Sequence, residues 1–271
     1  METITSPQNP KIKRLMLLQQ KSSERKREGL FVVEGSRELQ HCINAGFEVD
    51  TVFYNSALLT GDIKSEDTLT ACLPANVKCY EVSEKVYEKI AYRGGTEGVV
   101  AQIKTRNIRL EDLKLGETPL IMVVESVEKP GNLGAILRSA DAASADAVII
   151  CDPLTDLFNP NLIRSSVGTA FTVPCVACRS DECIAFLKAR GISILTAQLQ
   201  DSKLYYDTDM RQATAIVMGT EATGLTNQWR EAADAHIRIP MLGMIDSLNV
   251  SVSAAILLFE AVRQRNIQNK K

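Results

Sequence analysis

Four short apolar runs, one of them interrupted by Ser193, dominate the second half of the chain. They are Leu120-Ile121-Met122-Val123-Val124, then residues 147–150, 192–195 and 215–218. A run of this kind, polar on neither face, suits a strand buried on both sides, which is the situation of parallel strands covered by helices. The stretches between the runs are long enough for crossover helices. They predict a parallel sheet with right-handed connections. The first half also alternates, with shorter strands: residues 30–33, 49–54 and 98–104, a helix over 36–45 closed by Gly46, and a basic helical lead-in over 5–28 that contains the turn Asn9-Pro10. A chain of 271 residues exceeds one ordinary domain. The expected division is a small α/β domain over 1–105, a polar linker over 106–118 and an α/β domain over 119–271.

Charge is unevenly spread. The net charge is −2, yet residues 11–27 hold Lys11, Lys13, Arg14, Lys21, Arg25, Lys26 and Arg27 against one acid, Glu24. That density suits either a solvated helix face or a patch that neutralises phosphates. The first twenty residues are polar and basic, and there is no apolar run of eighteen, so neither a signal peptide nor a membrane span is expected. Seven scattered cysteines then read as reduced thiols of a cytoplasmic protein. Cys175 and Cys178 form a CxxC pair with Cys183 nearby, but there is no second pair and only His41 and His236, so no metal site is expected.

Ligands of parallel sheets collect outside the carboxyl ends of the strands, and three loops there are rich in glycine and polar residues. The first holds Gly131, Asn132 and Gly134, with Arg138 following inside the helix. Read alone, these residues suit either a capping Asn with a surface Arg, or an Arg aimed at a carboxylate or phosphate. The second is Gly219-Thr220-Glu221-Ala222-Thr223-Gly224-Leu225, directly after a strand. The third runs from Ile239-Pro240-Met241 through Gly243 to Ser247-Leu248-Asn249, where Ser247 is a candidate cap for a helix reaching about 265. That helix is apolar nearly all round, as a helix covered on more than one side must be. The first loop does not match the dinucleotide-binding pattern Gly-x-Gly-x-x-Gly, which counts against a nicotinamide-dependent oxidoreductase.

In this order and spacing the three loops resemble the three motifs of the SpoU (TrmH) family of RNA ribose 2′-O-methyltransferases. They are Asn132-x-Gly134-Ala135-Ile136-x-Arg138-x-Ala140, Gly219-x-Glu221-x-x-Gly224-Leu225, and Ile239-Pro240-Met241-x-Gly243 with Ser247-Leu248-Asn249-Val250-Ser251. The resemblance covers about residues 120–265. Asn9-Pro10-x-Ile12-Lys13 and residues 29–35 are similar to the substrate-binding domain that precedes many members, a ribosomal-protein-like RNA-binding fold. The chain departs from the pattern at Ser144, where Gly is common, at Thr220 and Ala222, where Ser and Gly are frequent, and at Glu97, where Gln is frequent.

The resemblance implies a C-terminal α/β domain tied in a trefoil knot and a homodimer through that domain. It implies S-adenosyl-L-methionine as cofactor, RNA as partner with large-subunit ribosomal RNA favoured, and no metal. Arg138 would be the central catalytic residue, favoured as an electrostatic stabiliser over a base. Asn132 would orient it, and Glu221, Ser247 and Asn249 would shape the site. Gly219, Ile239, Leu248, Ala197 and Met241 would hold the cofactor. Lys11, Lys13, Arg14, Arg25, Lys26 and Arg27 would meet RNA. Two rivals remain: a transfer-RNA 2′-O-methyltransferase, and a non-catalytic RNA-binding or ribosome-assembly factor on the same fold.

Overall fold

The computed structural model describes residues 3–91, 97–220 and 223–268. The chain forms two compact units, one of Met1–Arg106 with Phe158–Thr172, the other of Asn107–Leu157 with Val173–Lys271. Among the described residues no helix is long and apolar enough to cross a membrane.

The first unit is built on five strands, β1 (Thr3–Ile4), β2 (Leu30–Glu34), β3 (Val49–Tyr54), β4 (Lys78–Val82) and β5 (Val99–Lys104), in the order β1-β4-β3-β5-β2. Strand β5 runs antiparallel to β2 and β3, and the other pairs are parallel. The helices are α1 (Pro10–Gln20), α2 (Ser22–Glu28), α3 (Ser36–Asn44), α4 (Glu66–Cys72) and α5 (Glu84–Ile90), with α7 (Pro160–Ser166) and α8 (Thr169–Thr172) arriving from later in the chain. The basic lead-in is two helices, not one. Asn9 caps α1 by accepting the Lys11 N–H at 2.9 Å, with Pro10 in the first turn. The chain then breaks at extended Lys21, and α2 ends on left-handed Gly29 (φ 63°).

Strand side chains alternate between faces, and both faces are covered. Val32, Phe53 and Val82 meet Ile12, Leu15, Leu18 and Val86. Phe31, Val33 and Tyr54 meet Leu39, Ile163 and Phe171. Phe31 stacks on Phe158 with ring centroids 4.5 Å apart. Residues 158–172 therefore complete the core of the first unit, whereas the sequence division assigned them to the 119–271 domain.

The second unit is a seven-stranded, all-parallel sheet. Its strands are β6 (Leu120–Glu125), β7 (Ala147–Cys151), β8 (Cys175–Cys178), β9 (Ser193–Ala197), β10 (Lys203–Leu204), β11 (Thr214–Met218) and β12 (Ala235–Arg238). Their order is β10-β12-β9-β11-β6-β7-β8. The four apolar runs are β6, β7, β9 and β11, and every residue of β6, β7 and β11 is buried. Helices α6 (Pro130–Ala142), α9 (Ser180–Ala189), α10 (Asn227–Ala232) and α11 (Val250–Gln268) complete the unit, with α6 and α11 packed together. The polar stretch read as a linker is not free chain: Leu113 is buried in the core of this unit, and Ile108, Leu110 and Leu115 pack against it.

Candidate active site

The site grows from the carboxyl ends of β9, β11 and β12. Ala197 and Gln198 leave β9, Gly219 leaves β11, and Ile239 leaves β12. With Met241, Ser247, Leu248 and the first turns of α11 (Val250, Ser253, Leu257) they enclose a cavity of about 350 Å³. This is where a parallel sheet binds its ligands. All five residues expected to hold a cofactor, Ala197, Gly219, Ile239, Met241 and Leu248, line it, as does Ser247.

Glycine is required at 219 by the chain itself. A Cβ there would sit 2.3 Å from the Gly224 carbonyl carbon, and Thr220 and Gly224 exchange backbone hydrogen bonds at 3.3 and 3.1 Å across the same loop. Gly224 is left-handed (φ 67°), which favours glycine. Gly131, by contrast, has open space around it, so close backbone approach does not explain that glycine. Glu221 and Ala222 lie outside the described residues.

Two capping assignments change. Helix α6 starts at Pro130 with Lys129 as its cap, so Asn132 sits inside the first turn. Helix α11 starts at Val250, and Asn249, not Ser247, accepts the Ser251 N–H at 3.0 Å. The two side chains meet: Asn249, capping α11 through Oδ1, donates through Nδ2 to Asn132 Oδ1 at 3.2 Å. That bond joins the first and third loops across 117 residues of sequence. Arg138 is exposed on α6 and has no hydrogen-bond or ion-pair partner among the described residues.

Beneath the loops lies a buried network without a motif to announce it. Glu125, ending β6 and 2% exposed, accepts the Thr226 N–H at 2.9 Å and the Thr226 hydroxyl at 2.7 Å. Ser180 donates to Asp152 at 2.6 Å and accepts from the buried Trp229 indole at 3.0 Å. The network fixes the loop that follows Gly219. Two cavity-lining groups also lack partners among the described residues, Gln198 Oε1 and Arg230 Nε. Gln198 follows a strand and is legible as a wall of the site. Arg230 comes from α10, and no pattern in the sequence marks it.

The basic N-terminal side chains divide. Arg25 is 3% exposed, and its Nη1 donates to the carbonyls of Leu18 (2.6 Å) and Gln19 (3.3 Å). It closes the end of α1 and is withdrawn from the RNA-binding set. Arg14 pairs with Glu28 at 2.6 Å. Arg27 pairs with Glu24 at 2.5 Å and Glu28 at 2.9 Å, and Glu28 is held below its ordinary pKa by these guanidiniums. The Lys11 ammonium stands 4.7 Å over the Tyr80 ring. Lys13, Lys21 and Lys26 are exposed.

The CxxC pair is not the grouping the fold makes. Cys178, at the end of β8, meets Cys151 at the end of β7 and Cys183 in α9, with their sulfur atoms within 4.8 Å of one another. Its hydrogen bonds with the Cys178 and Cys183 thiols, together with burial, push Cys151 up. Cys178 is pulled down by the thiol hydrogen bonds it receives.

Comparison with known proteins fits this geometry. Residues 119–259 match the SpoU rRNA Methylase family, and residues 9–101 match the MRM3-like substrate binding domain. The 23S rRNA (guanosine(2553)-2′-O)-methyltransferase RlmP of Bacillus subtilis (strain 168) is 29% identical over 96% of this chain and 98% of its own. The 23S rRNA (guanosine-2′-O-)-methyltransferase RlmB of Vibrio cholerae is 33% identical over 83% of this chain and 95% of its own. The AdoMet-bound rRNA methyltransferase of Sinorhizobium meliloti superposes with a TM-score of 0.88 at 29% identity, covering 97% of both chains. The family match takes in all three loops and the strands that carry them, and the chain belongs to the SpoU rRNA methylase family.

Proposed function

We propose that this protein transfers a methyl group from S-adenosyl-L-methionine to a ribose 2′-hydroxyl of ribosomal RNA, with 23S RNA as the substrate. The observation that carries the reading is the strand-end cavity: the second and third loops wall it, and the Asn249–Asn132 hydrogen bond ties the first loop beside it. Relatives that act on 23S rRNA align along nearly the whole chain, the MRM3-like segment included. That favours ribosomal over transfer RNA. A location in the cytoplasm follows from that substrate.

The cavity suits the cofactor. Its volume lies within the range of small-molecule sites. The Gln198 carbonyl and Arg230 Nε–H, without partners among the described residues, are an acceptor and a donor of the kind an amino acid's ammonium and carboxylate require. When bound, S-adenosyl-L-methionine supplies a methyl group activated by its positive sulfur. Gly219, Ile239, Leu248, Ala197 and Met241 hold it, and Ser247 and Asn249 shape the wall nearest the substrate. Glu221 is assigned to the same site by the family motif.

Arg138 binds the phosphate beside the target ribose. A guanidinium stays charged at any working pH, so Arg138 stabilises the developing oxyanion and takes no proton; the proton leaves to water. Asn132, held by Asn249, keeps the first turn of α6 in place. Alignment of hydroxyl and methyl carbon supplies much of the rate, up to ~7–11 kcal/mol in favourable systems. Self-association through this unit, with the trefoil knot the family resemblance implies, would cover Leu242, Met244 and Ile245 (96, 104 and 61% exposed) and the half-exposed Val252 and Phe259 of α11.

The test is nucleoside mapping by mass spectrometry of RNA from cells with and without the gene. Loss of one 2′-O-methylated nucleoside from a 23S fragment is expected. Unchanged ribose methylation, together with no binding of S-adenosyl-L-methionine by the purified protein, would refute the reading.

A further inference from the structure

The sheet of the first unit buries a glutamine whose amide N–H group finds no acceptor among the described residues. Gln102 lies mid-strand in β5, between Val32 of β2 and Thr51 of β3. It is 2% exposed, and its Nε2 has no hydrogen-bond partner among the described residues. Interior amides are almost always bonded, and a central strand facing the apolar side of α1 would be served better by Val or Leu.

The amide lines a cavity of about 150 Å³ between the N-terminal half of α1 and the sheet, several times the ~30 Å³ share of one liquid water. Lys11 and Arg14 of α1 and Lys78 of β4 also line it. Phe53 and Tyr80, stacked with ring centroids 5.7 Å apart, form the floor. Asp50 completes the lining and accepts the Thr51 hydroxyl at 2.8 Å.

These groups select a ligand. The three cations match phosphate, but Asp50 repels a phosphate placed inside the cavity. An amide presents a donor and an acceptor side by side, which is the pattern that reads a base edge. Asp50 adds a second acceptor, which an exocyclic amine can meet and uracil cannot. We propose that this cavity is an RNA subsite that admits one unpaired nucleotide whose Watson–Crick edge sets an exocyclic amine beside an acceptor ring nitrogen, as in adenine or cytosine but not guanine, whose neighbouring N1 is a donor. Gln102 reads the base edge, Asp50 takes the second amine hydrogen, and Lys11, Arg14 and Lys78 hold the flanking phosphates. Single-stranded RNA is commonly recognised through splayed-out bases of this kind. The proposal rests on RNA being the substrate and places a base-reading position in the first unit.

The test is fluorescence anisotropy of the full chain with three labelled undecamers, U5AU5, U5CU5 and U11, across a range of KCl. The wild type is expected to bind one of the first two at least fivefold tighter than U11. Gln102→Leu should bring that ratio to one without changing the salt slope. Lys78→Ala should keep the ratio and reduce the slope by about 0.7, the loss of one single-strand phosphate contact. The thermal midpoint of Gln102→Leu should not fall, because the buried Nε2 has no bond among the described residues to lose. If that variant does not fold, Asp50→Asn reads the same site and should raise the relative affinity for U11. A wild-type ratio of one, or a ratio that survives both substitutions, overturns the subsite. Methyl transfer is not read in this assay, so a chain that binds with the expected ratio but methylates nothing overturns the reaction and leaves the subsite standing.

Discussion

Glu125→Ala tests whether the buried carboxylate at the end of β6 sets the shape of the loop after Gly219. Its 2% exposed side chain accepts two hydrogen bonds from Thr226, at 2.9 and 2.7 Å. The Ser180 hydroxyl has one proton, and the 2.6 Å contact with Asp152 claims it ahead of the 3.2 Å contact with Glu125. Two bonds are therefore at stake. Hydrogen bonds to charged groups contribute ~1.5–3 kcal/mol each, so the alanine variant should lose about 4 kcal/mol. Glu125→Gln keeps an acceptor for the Thr226 N–H, and its new N–H can donate to the rotatable Thr226 hydroxyl. Only the charge assistance is lost, about 1–2 kcal/mol. The assay is urea unfolding followed through Trp229, the single tryptophan, which is fully buried and bonded to Ser180 and so reports the second unit alone. In a thermal scan the alanine variant should melt roughly 8–16 °C lower, at about 2–4 °C per kcal/mol for a unit of this size. An alanine variant within ~0.5 kcal/mol of wild type, the noise of a surface substitution, would refute the reasoning. So would a glutamine variant as costly as alanine.

Four further outcomes are expected. Arg138→Ala should lower single-turnover methylation by ~10²–10³-fold, the scale of one transition-state donor, while calorimetry finds S-adenosyl-L-methionine affinity within about twofold; wild-type turnover would remove Arg138 from the chemistry. Arg25→Ala should destabilise the first unit by about 2 kcal/mol through its stranded carbonyls and leave the salt dependence of RNA binding unchanged, whereas Lys13→Ala with Lys26→Ala should flatten it; the reverse pattern would restore Arg25 to the RNA surface. Ser144 has φ 52°, so Ser144→Gly should raise the melting midpoint by relieving about 1 kcal/mol of left-handed strain, and a lower midpoint would mean that its side chain contributes more than that strain costs. Among the three clustered thiols Cys178 is the half-buried one and receives thiol hydrogen bonds. Limited iodoacetamide treatment with peptide mapping should modify it before Cys151 or Cys183, and prior labelling of either neighbour would contradict the cluster.

Strands β6, β7 and β11 are legible from sequence because burial on both faces leaves no polar position to blur the run. Strand β12 is not: His236 and Arg238 break the apolar pattern, although Ile237 is fully buried and Thr196 bonds His236 at 2.6 Å across the β9–β12 pair. The ligand loops announce themselves through glycine, and Gly219 carries that signal for a packing reason. Arg25 shows where charge counting fails, since formal charge says nothing about whether a guanidinium faces water or two carbonyls. Phe158, Ile163 and Phe171 show the other limit. Their apolar character is plain in the sequence, but which core they join depends on partners more than a hundred residues away.

The excursion of residues 158–172 has a consequence for synthesis on the ribosome. The first unit cannot close when residue 106 emerges, because the helices that cover Phe31 and Val33 are still 66 residues short of completion. At elongation rates of about 5–20 residues per second the nascent sheet waits some 3–13 s with that face uncovered. During that interval β6 and β7 of the second unit are made. The two units therefore do not fold as successive beads. A chain stopped anywhere between 107 and 157 is a candidate client for chaperones, and the two units cannot be separated as independent fragments by a single cut.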